Sequence, residues 1–190
     1  MPILELEPAS YPMNLLDPQA EVRHDRATSG RQWWVMQTRP RQEKALARDL
    51  SSAEVPFYLP LTSQEHLIRG RVRLSYVPVL AGYLFLFGDL EERLRALRTN
   101  RIVRVLPVPE QDRLDAELMN LATLIAAEVP LTIERRLEAG QRVRVKRGGL
   151  AGLEGVILQR RGVNRLLIAV TYLQQGVSVE INDYMVEPCD

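Results

Sequence analysis

The sequence has few of the residues on which disulfides, metal sites and most catalytic centres are built. Among its 190 residues there is one cysteine, Cys189, and two histidines lie far apart, His24 and His66. A disulfide within the chain and a metal site made of cysteines are therefore excluded. We find no serine or cysteine paired with a histidine and no cofactor loop, so we expect no enzyme, no cofactor and no bound metal.

Long apolar runs and an excess of one charge are also missing. No stretch approaches the ~20 apolar residues of a membrane helix, and the opening MPILELEPAS lacks the basic start and apolar run of a signal peptide. We therefore expect a cytoplasmic protein without membrane contact. With 25 basic and 24 acidic residues the formal net charge is +1, so nucleic-acid binding would have to depend on local clusters of charge.

The sequence does contain two successive patterns of secondary structure. Residues 1–30 carry scattered prolines without a period of 2 or 3.6, which predicts a disordered tail. Residues 31–128 alternate strand and helix signals, which predicts an α+β sandwich. Residues 129–138 are typical of a linker, and residues 139–190 show short strands and turns without a helix signal, which predicts a small β-barrel.

The most strand-like stretch of the chain is GYLFLFGD. Tyr83 and Phe85 alternate with Leu84 and Leu86, so both faces of this strand are apolar and both need cover. The following DLEERLRALRTN predicts a helix capped by Asp89. Apolar residues at helical spacing define the buried faces of three predicted helices. These are Leu46 with Leu50, then Leu90, Leu94 and Leu97, and finally Leu118, Leu121, Ala122 and Ile125.

A glycine-rich turn raises the question of phosphate binding. In RVRVKRGGLAGLEGVILQRRG, basic residues alternate with Val143 and Val145, as in a half-buried strand with a basic outer face. A Walker loop needs a Lys-Ser/Thr pair after its last glycine, whereas Gly155 is followed by Val156, and a dinucleotide loop needs a helix where a strand follows. We therefore interpret these glycines as residues of a tight turn and of close backbone approach.

The same segment resembles the KOW motif, with its basic strand, its glycine turn holding an apolar residue, and GLEG before the next strand. Upstream, WWVMQTRPRQEKALARDL, then YLP, then LAGYLFLF are similar in order and spacing to the NGN domain of NusG. The similarity covers roughly residues 31 to 188. Through it the chain is identified as a member of the NusG family of transcription elongation and antitermination factors, with a specialised RfaH-like paralogue as one branch to consider.

The resemblance implies an NGN α/β sandwich, an antiparallel sheet flanked by helices, followed by a five-stranded KOW-type barrel. In the family an apolar depression of the NGN domain receives the clamp helices of the largest RNA polymerase subunit. The positions that match this surface here are Trp34, Leu80, Tyr83 and Phe85. Ala81 stands where proline is common. The alternative, that the aromatic residues are simply core, stays open at this point.

Specialised family members also touch the non-template DNA strand, with the start of the first helix and the loop before the last strand of the domain. The alternative for such a cationic cluster is a solvated surface. The matching positions are Arg39, Arg41, Gln42, Lys44, Asn100 and Arg101.

The KOW barrel of the family recruits Rho or a small-subunit ribosomal protein. The matching contact positions are Leu150, Leu153, Tyr172 and Leu173, which are largely aliphatic where phenylalanine is frequent, so the partner here can differ. Leu150 could equally plug the barrel. The glycines and β-branched residues of 141–187 favour a permanent barrel over the helical hairpin known for RfaH.

Together these patterns predict a monomeric, non-enzymatic factor. It would bind RNA polymerase across its cleft, suppress pausing and termination, and recruit a second partner through the KOW domain. The alternative is a ribosome- or RNA-binding protein that uses the KOW domain alone. Whether the protein is a general factor or an operon-specific antiterminator stays open, although the proline-bearing N-terminal segment favours the specialised branch.

Overall fold

The computed structural model describes residues 8–24, 30–68, 71–134, 140–160, 162–181 and 185–189. The chain divides into two compact units, residues 1–111 and 112–190. Antiparallel sheets form the framework of both units, and the described helices lie almost entirely before residue 127.

The first unit contains a five-stranded antiparallel sheet, a separate two-stranded hairpin and three helices. Its elements in chain order are β1 (Ser10–Tyr11), α1 (Glu21–His24), β2 (Gln32–Thr38), α2 (Glu43–Ser52), β3 (Phe57–Tyr58), β4 (Leu61–Ile68), β5 (Arg71–Pro78), β6 (Tyr83–Gly88), α3 (Leu90–Arg98) and β7 (Ile102–Leu106).

The five-stranded sheet has the spatial order β1-β3-β6-β2-β7, so β2 lies between β6 and β7. The stretch HLIRGRVRLSYVPV is typical of a hairpin that turns near Arg69 and Gly70. Strands β4 and β5 do pair as a hairpin, from Leu61 opposite Pro78 to Ile68 opposite Arg71, and the turn residues lie outside the described residues.

Both faces of the central strands are buried, which confirms the prediction from the apolar alternation of β6. Trp33 lies opposite Phe87, and Val35 lies opposite Phe85, on what we call the aromatic face of the sheet. All four of these side chains are buried. The other face, which we call the helix face, packs in one core cluster with side chains of α2 and α3. This cluster includes Met36, Leu46, Ala47, Leu50, Leu84, Leu86 and Ala96.

Helix α3 turns a different side to the sheet from the one predicted. Asp89 does cap the helix, because its side chain accepts a hydrogen bond from Glu92 N at 2.8 Å. The predicted apolar stripe, however, is exposed: Leu90 is 63% and Leu94 51% accessible. The buried positions are Glu92, which pairs with Arg31 at 2.7 Å, and the small residue Ala96. An ion pair and a close helix–sheet approach therefore decide the orientation, against the pattern of leucines.

The N-terminal segment also differs from the prediction, which assigned residues 1–30 to a disordered tail. Strand β1 forms one edge of the sheet and pairs with β3, with Tyr11 opposite Phe57. Leu59 N donates to Ala9 O at 2.7 Å, and Leu15 is fully buried. Residues 8–24 are thus part of the first unit, held by main-chain pairing and by burial of one large side chain.

The second unit is built on a six-stranded antiparallel sheet of order β13-β9-β10-β11-β12-β8. Five of its described strands, β9 to β13, lie within residues 139–190, the number predicted there, and β8 from the predicted linker adds a sixth. Closure into a barrel stays a prediction. Helix α4 (Gln111–Ala126) begins at the last residue of the first unit. The strands are β8 (Thr132–Glu134), β9 (Gln141–Val145), β10 (Glu154–Arg160), β11 (Val163–Val170), β12 (Gln175–Glu180) and β13 (Val186–Pro188), with a 3₁₀ turn at Thr171–Leu173.

The unit boundary and the predicted domain boundary differ. The predicted domain of residues 31–128 includes α4, whereas the compact first unit ends at Gln111. The predicted linker of residues 129–138 contains β8, which pairs with β12 through Ile133 opposite Val177. In α4 the fully buried residues are Leu114, Leu118, Leu121 and Leu124, so the predicted stripe is correct for its two leucines and displaced for Ala122 and Ile125.

Glycines act in the second unit as predicted, in turns and at close backbone contacts. Gly148 and Gly152, between β9 and β10, have φ of 95° and 88°. In strand β12, a Cβ added at Gly176 would lie 2.3 Å from the carbonyl oxygen of Ile168. This distance is too short for a side chain, so the two backbones can approach only because residue 176 is glycine.

Candidate functional site

Three loops meet at one end of the five-stranded sheet. Because β2 is antiparallel to both of its neighbours, its last residue lies beside the first residues of β6 and β7. Thr38 N donates to Gly82 O and Arg39 N donates to Arg101 O, each at 2.8 Å. We call this region the sheet end; it comprises the loops of residues 39–42 and 99–101 and the turn of residues 80–83.

A pocket of about 480 Å³ opens between the two loops of the sheet end. Arg39 Nη2 donates to Asn100 Oδ1 at 3.0 Å across it. Four of the six predicted nucleic-acid-binding residues line it, whereas Arg41 and Lys44 do not. The lining residues are Arg39, Pro40, Gln42, Thr99, Asn100 and Arg101.

The positive charge of this pocket is only partly neutralised within the protein. Arg101 donates through Nε to Asp49 Oδ2 at 2.6 Å and through Nη1 to Gln42 Oε1. Arg39 instead bonds the neutral amide of Asn100, and Arg41 is exposed. Arg41 and Asn100 have φ of 61° and 57°, a left-handed backbone that bends each loop. An anionic or hydrogen-bonding ligand would find donors on both sides of the pocket.

The turn of residues 80–83 is fixed by a buried carboxylate. Tyr83 N donates to Leu80 O at 3.1 Å, and Gly82 occupies the left-handed position of the turn with φ of 85°. Gly82 N donates to Glu43 Oε1 at 2.6 Å. Glu43 stands in the first turn of α2 and is only 7% exposed, so the turn and the start of α2 are joined directly.

The predicted polymerase-binding residues do not share one face of the sheet. Tyr83 and Phe85 belong to the aromatic face, whereas Trp34 lies opposite Leu86 on the helix face. Leu80 and Phe85 are fully buried, and Tyr83 and Trp34 are half-buried. The pairing register is the reason, because it puts Trp33 rather than Trp34 on the face of Phe85. Of the four residues, Tyr83 alone is both part of the sheet end and accessible; a role of any of them in polymerase binding stays a prediction.

Trp34 is occupied by contacts of its own. Its indole Nε1 donates to Gly88 O at 3.0 Å. The guanidinium carbon of Arg93, on α3, lies 4.8 Å from the centre of its ring, a cation–π distance. These contacts attach α3 to the helix face of the sheet and explain the half-burial of Trp34 without an external partner.

In the second unit, the predicted partner-binding residues lie in two connections at one end of the sheet. Leu150 and Leu153 belong to the β9–β10 connection, and Tyr172 and Leu173 to the 3₁₀ turn that follows β11. Because β10 and β11 are antiparallel, the start of β10 lies beside the end of β11. Tyr172 is 41% exposed, Leu150 and Leu173 are half-buried, and Leu153 is buried in the core. Three of the four are thus accessible.

The basic outer face of β9 is matched by acidic neighbours. Arg144 forms an ion pair with Glu154, and Arg142 approaches the same carboxylate at 3.9 Å. The hydrogen bond and charge of Glu154 raise the pKa of Arg144. Glu187 of β13 lies opposite Arg144 in the sheet. The alternating arginines therefore belong to cross-strand ion pairs more than to a free cationic surface.

Residues 31–121 match a family model described as "Transcription termination factor nusG". Residues 31–121 of this chain therefore form a NusG-family domain. Among solved structures, 14 chains match this one. One is Thermotoga maritima NusG, from "Domain interaction in Thermotoga maritima NusG", at 16% identity and a TM-score of 0.47, with 84% of this chain and 98% of that chain covered. No curated protein sequence matches.

A NusG-family domain indicates a transcription factor with a role in elongation or termination. The matched residues run from the strand β2 into α4, so they include the whole sheet end. They do not include the segment that resembles a KOW motif, and that assignment stays a prediction. In the part of the NusG-family chain that the structure describes, no helix is long and apolar enough to cross a membrane. Within the same residues, no group of three His, Cys, Asp or Glu side chains could hold a metal ion.

The sequence did not single out Glu43, although it stands between two predicted site residues, Gln42 and Lys44. A glutamate in the first turn of a helix is ordinarily explained by the helix dipole. Its burial and its hydrogen bond to Gly82 become visible only in the structure.

A second pocket, of about 560 Å³, lies in the second unit. Its charged residues form ion pairs with one another, Arg113 with Glu117 and Arg142 with Glu154, so it is a weaker candidate for a charged ligand.

Proposed function

We propose that this NusG-family protein binds RNA polymerase through the sheet end, suppresses pausing and termination, and acts as a monomer without catalytic chemistry. The observation that carries the proposal is the meeting of an accessible aromatic residue, Tyr83, with two arginine-bearing loops at one end of a NusG-family domain. Rigid attachment to the polymerase needs no reacting group, only complementary surfaces.

Tyr83 is the contact residue we propose for the clamp helices of the largest polymerase subunit. It is half-buried, so part of its ring is free to pack against a partner while the rest is held in place. Leu80 and Phe85 are fully buried and offer no surface to a partner, and Leu80 O accepts a hydrogen bond from Tyr83 N. Because Trp34 lies on the opposite face of the sheet, we assign it to the attachment of α3 and not to this contact.

The pocket of the sheet end is the site we propose for the non-template DNA strand. Arg39 and Arg41 form no ion pair with the described residues, and Gln42 and Asn100 add amide groups that can bond phosphate or base edges. A contact of two phosphates by these arginines would make binding fall with salt at a slope of about −0.7 per phosphate of a single strand.

The second unit is proposed to recruit a protein partner, either a small-subunit ribosomal protein or Rho. Tyr172, Leu150 and Leu173 are accessible at one end of its sheet and are apolar. The alternative of RNA binding by this unit alone finds less support, because Arg142 and Arg144 are engaged by Glu154. An RfaH-like, operon-specific antiterminator is the branch that we favour, since residues 8–24 add to the first unit a segment that precedes the family match.

The proposal is tested with purified RNA polymerase elongation complexes and labelled full-length protein. We expect Tyr83→Ala to weaken binding at least about tenfold, the loss for one partly buried aromatic contact. The matched control is Tyr172→Ala, the same change at an exposed tyrosine of the second unit, which should bind polymerase like the wild type. Arg41→Ala should leave polymerase binding intact and lower the salt slope on DNA-containing complexes.

Transcription on a template with a defined pause connects binding to function. Wild-type protein should shorten the pause, and Tyr83→Ala should not at equal concentration. The proposal fails if the wild type binds no elongation complex, or if Tyr83→Ala and Tyr172→Ala bind and act alike.

A further inference from the structure

We infer that Glu43 is a positioning residue that holds the turn of residues 80–83 against the start of α2, so that the two proposed contact surfaces of the sheet end keep one geometry. The inference rests on the proposed function, in which Tyr83 touches polymerase and the arginine loops touch DNA. It adds the residue that fixes one surface relative to the other.

Glu43 makes a short hydrogen bond in a nearly buried position. Its Oε1 accepts from Gly82 N at 2.6 Å, a short distance typical of a charge-assisted bond. Glu43 is nearly excluded from water, and its backbone belongs to α2, two residues after Arg41. Burying a carboxylate costs free energy unless the carboxylate is hydrogen-bonded. The hydrogen bond from Gly82 N offsets part of that cost for Glu43.

The bond completes a ring of contacts around the sheet end. Gly82 accepts from Thr38 N through its carbonyl oxygen and donates to Glu43 through its N–H. Thr38 is followed by Arg39, whose N–H donates to Arg101 O. The turn that carries Tyr83 is therefore held from both sides by the segment that carries the arginines. Loss of Glu43 would leave one of the two attachments.

Two contacts on one rigid body strengthen each other, because the first raises the effective concentration of the second. We therefore expect wild-type protein to bind an elongation complex with an accessible non-template strand more tightly than polymerase core alone. We call the ratio of these two affinities the gain from DNA. A loosened turn should reduce the gain from DNA more than it reduces the affinity for core polymerase. A residue with a purely structural role would lower both affinities in proportion.

The test uses full-length Glu43→Ala and Glu43→Gln, with Glu91→Ala as the matched control, since Glu91 stands in the first turn of α3 and its side chain is 78% exposed. Glutamine keeps an acceptor oxygen, so it should rescue. We measure the hydrogen exchange of the Gly82 amide by NMR. It should rise at least about tenfold in Glu43→Ala, the value expected for the loss of one charge-assisted bond, and much less in Glu43→Gln and Glu91→Ala.

Binding to core polymerase and to the elongation complex is measured for the same proteins. The inference holds if Glu43→Ala loses most of the affinity gain from DNA and Glu43→Gln keeps it. It is overturned if Gly82 exchange is unchanged in Glu43→Ala, or if exchange rises while the gain from DNA persists. If wild-type protein binds no polymerase, the proposed function fails instead, and the exchange result alone decides whether Glu43 sets the turn.

Discussion

Truncation of Leu15 is the sharpest test of the N-terminal segment as part of the fold. Leu15 is fully buried, although the sequence around it predicts disorder. Leu15→Ala removes three carbons, which at ~0.8 kcal/mol each amounts to about 2.4 kcal/mol of lost transfer free energy. A residual cavity adds to this, so we expect the free energy of unfolding of the first unit to fall by about 3 kcal/mol.

The assay can be confined to the first unit. The chain has two tryptophans, Trp33 and Trp34, and both lie in β2. Tryptophan fluorescence during thermal unfolding therefore reports on this unit even if the second unfolds separately. For a unit of about 100 residues, 1 kcal/mol corresponds to roughly 4–8 °C, so the fluorescence midpoint should fall by at least about 12 °C.

The matched control is Leu67→Ala, which makes the same change at a leucine that is 77% exposed in the β4–β5 hairpin. Its midpoint should move little, because an exposed side chain has almost no burial to lose. A Leu15→Ala protein that unfolds at the temperature of Leu67→Ala would refute the reasoning, since it would mean that residues 8–24 do not pack against the unit as described.

Two further predictions concern a glycine of the second unit and a buried tyrosine of the first. Gly176→Ala should unfold the second unit or lower its thermal midpoint, measured by far-UV circular dichroism, because the new Cβ would collide with Ile168 O. Gly149→Ala is the control, since a Cβ there meets open space and should leave the midpoint unchanged. Equal midpoints for the two variants would contradict this prediction. Burial raises the pKa of Tyr58, so the folded state keeps a proton that the unfolded state loses above its ordinary pKa of about 10. The free energy of unfolding should therefore fall above about pH 10 by up to ~1.4 kcal/mol per pH unit, and urea titrations of Tyr58→Phe should lack this part; an identical pH dependence in both proteins would count against it.

The strands of the first unit could be predicted from alternation, but their relative register could not. The pattern of β6 fixes which of its residues share a face, and it shows that both faces are apolar. The pattern of β2, with Trp33 and Trp34 adjacent, allows either tryptophan to face Phe85. Only the pairing of Val35 with Phe85 decides between them, and such cross-strand pairing is not encoded in either strand alone.

Helix α3 shows why a clear helical stripe can fail to identify a buried face. Leu90 and Leu94 have the spacing of a core-facing stripe, yet they are exposed. Glu92 accepts two hydrogen bonds from Arg31 and one from Asp89 N, so its burial satisfies three donors at once. That arrangement needs a partner 61 residues away in sequence, and local periodicity contains no information about it.

The sheet end illustrates the opposite case, in which topology makes a site from residues that the sequence keeps far apart. Residues 39–42, 80–83 and 99–101 carry no shared motif that would relate them without a family resemblance. Once β2 lies between two antiparallel neighbours, however, the end of β2 and the starts of β6 and β7 have to meet. Which side chain then joins the segments depends on burial: Glu43 has the sequence context of a surface acid, and it acts as a link because Gly82 N lies within bonding distance of its carboxylate. Predicting such a site from sequence therefore requires the strand order first and the polar contacts afterwards.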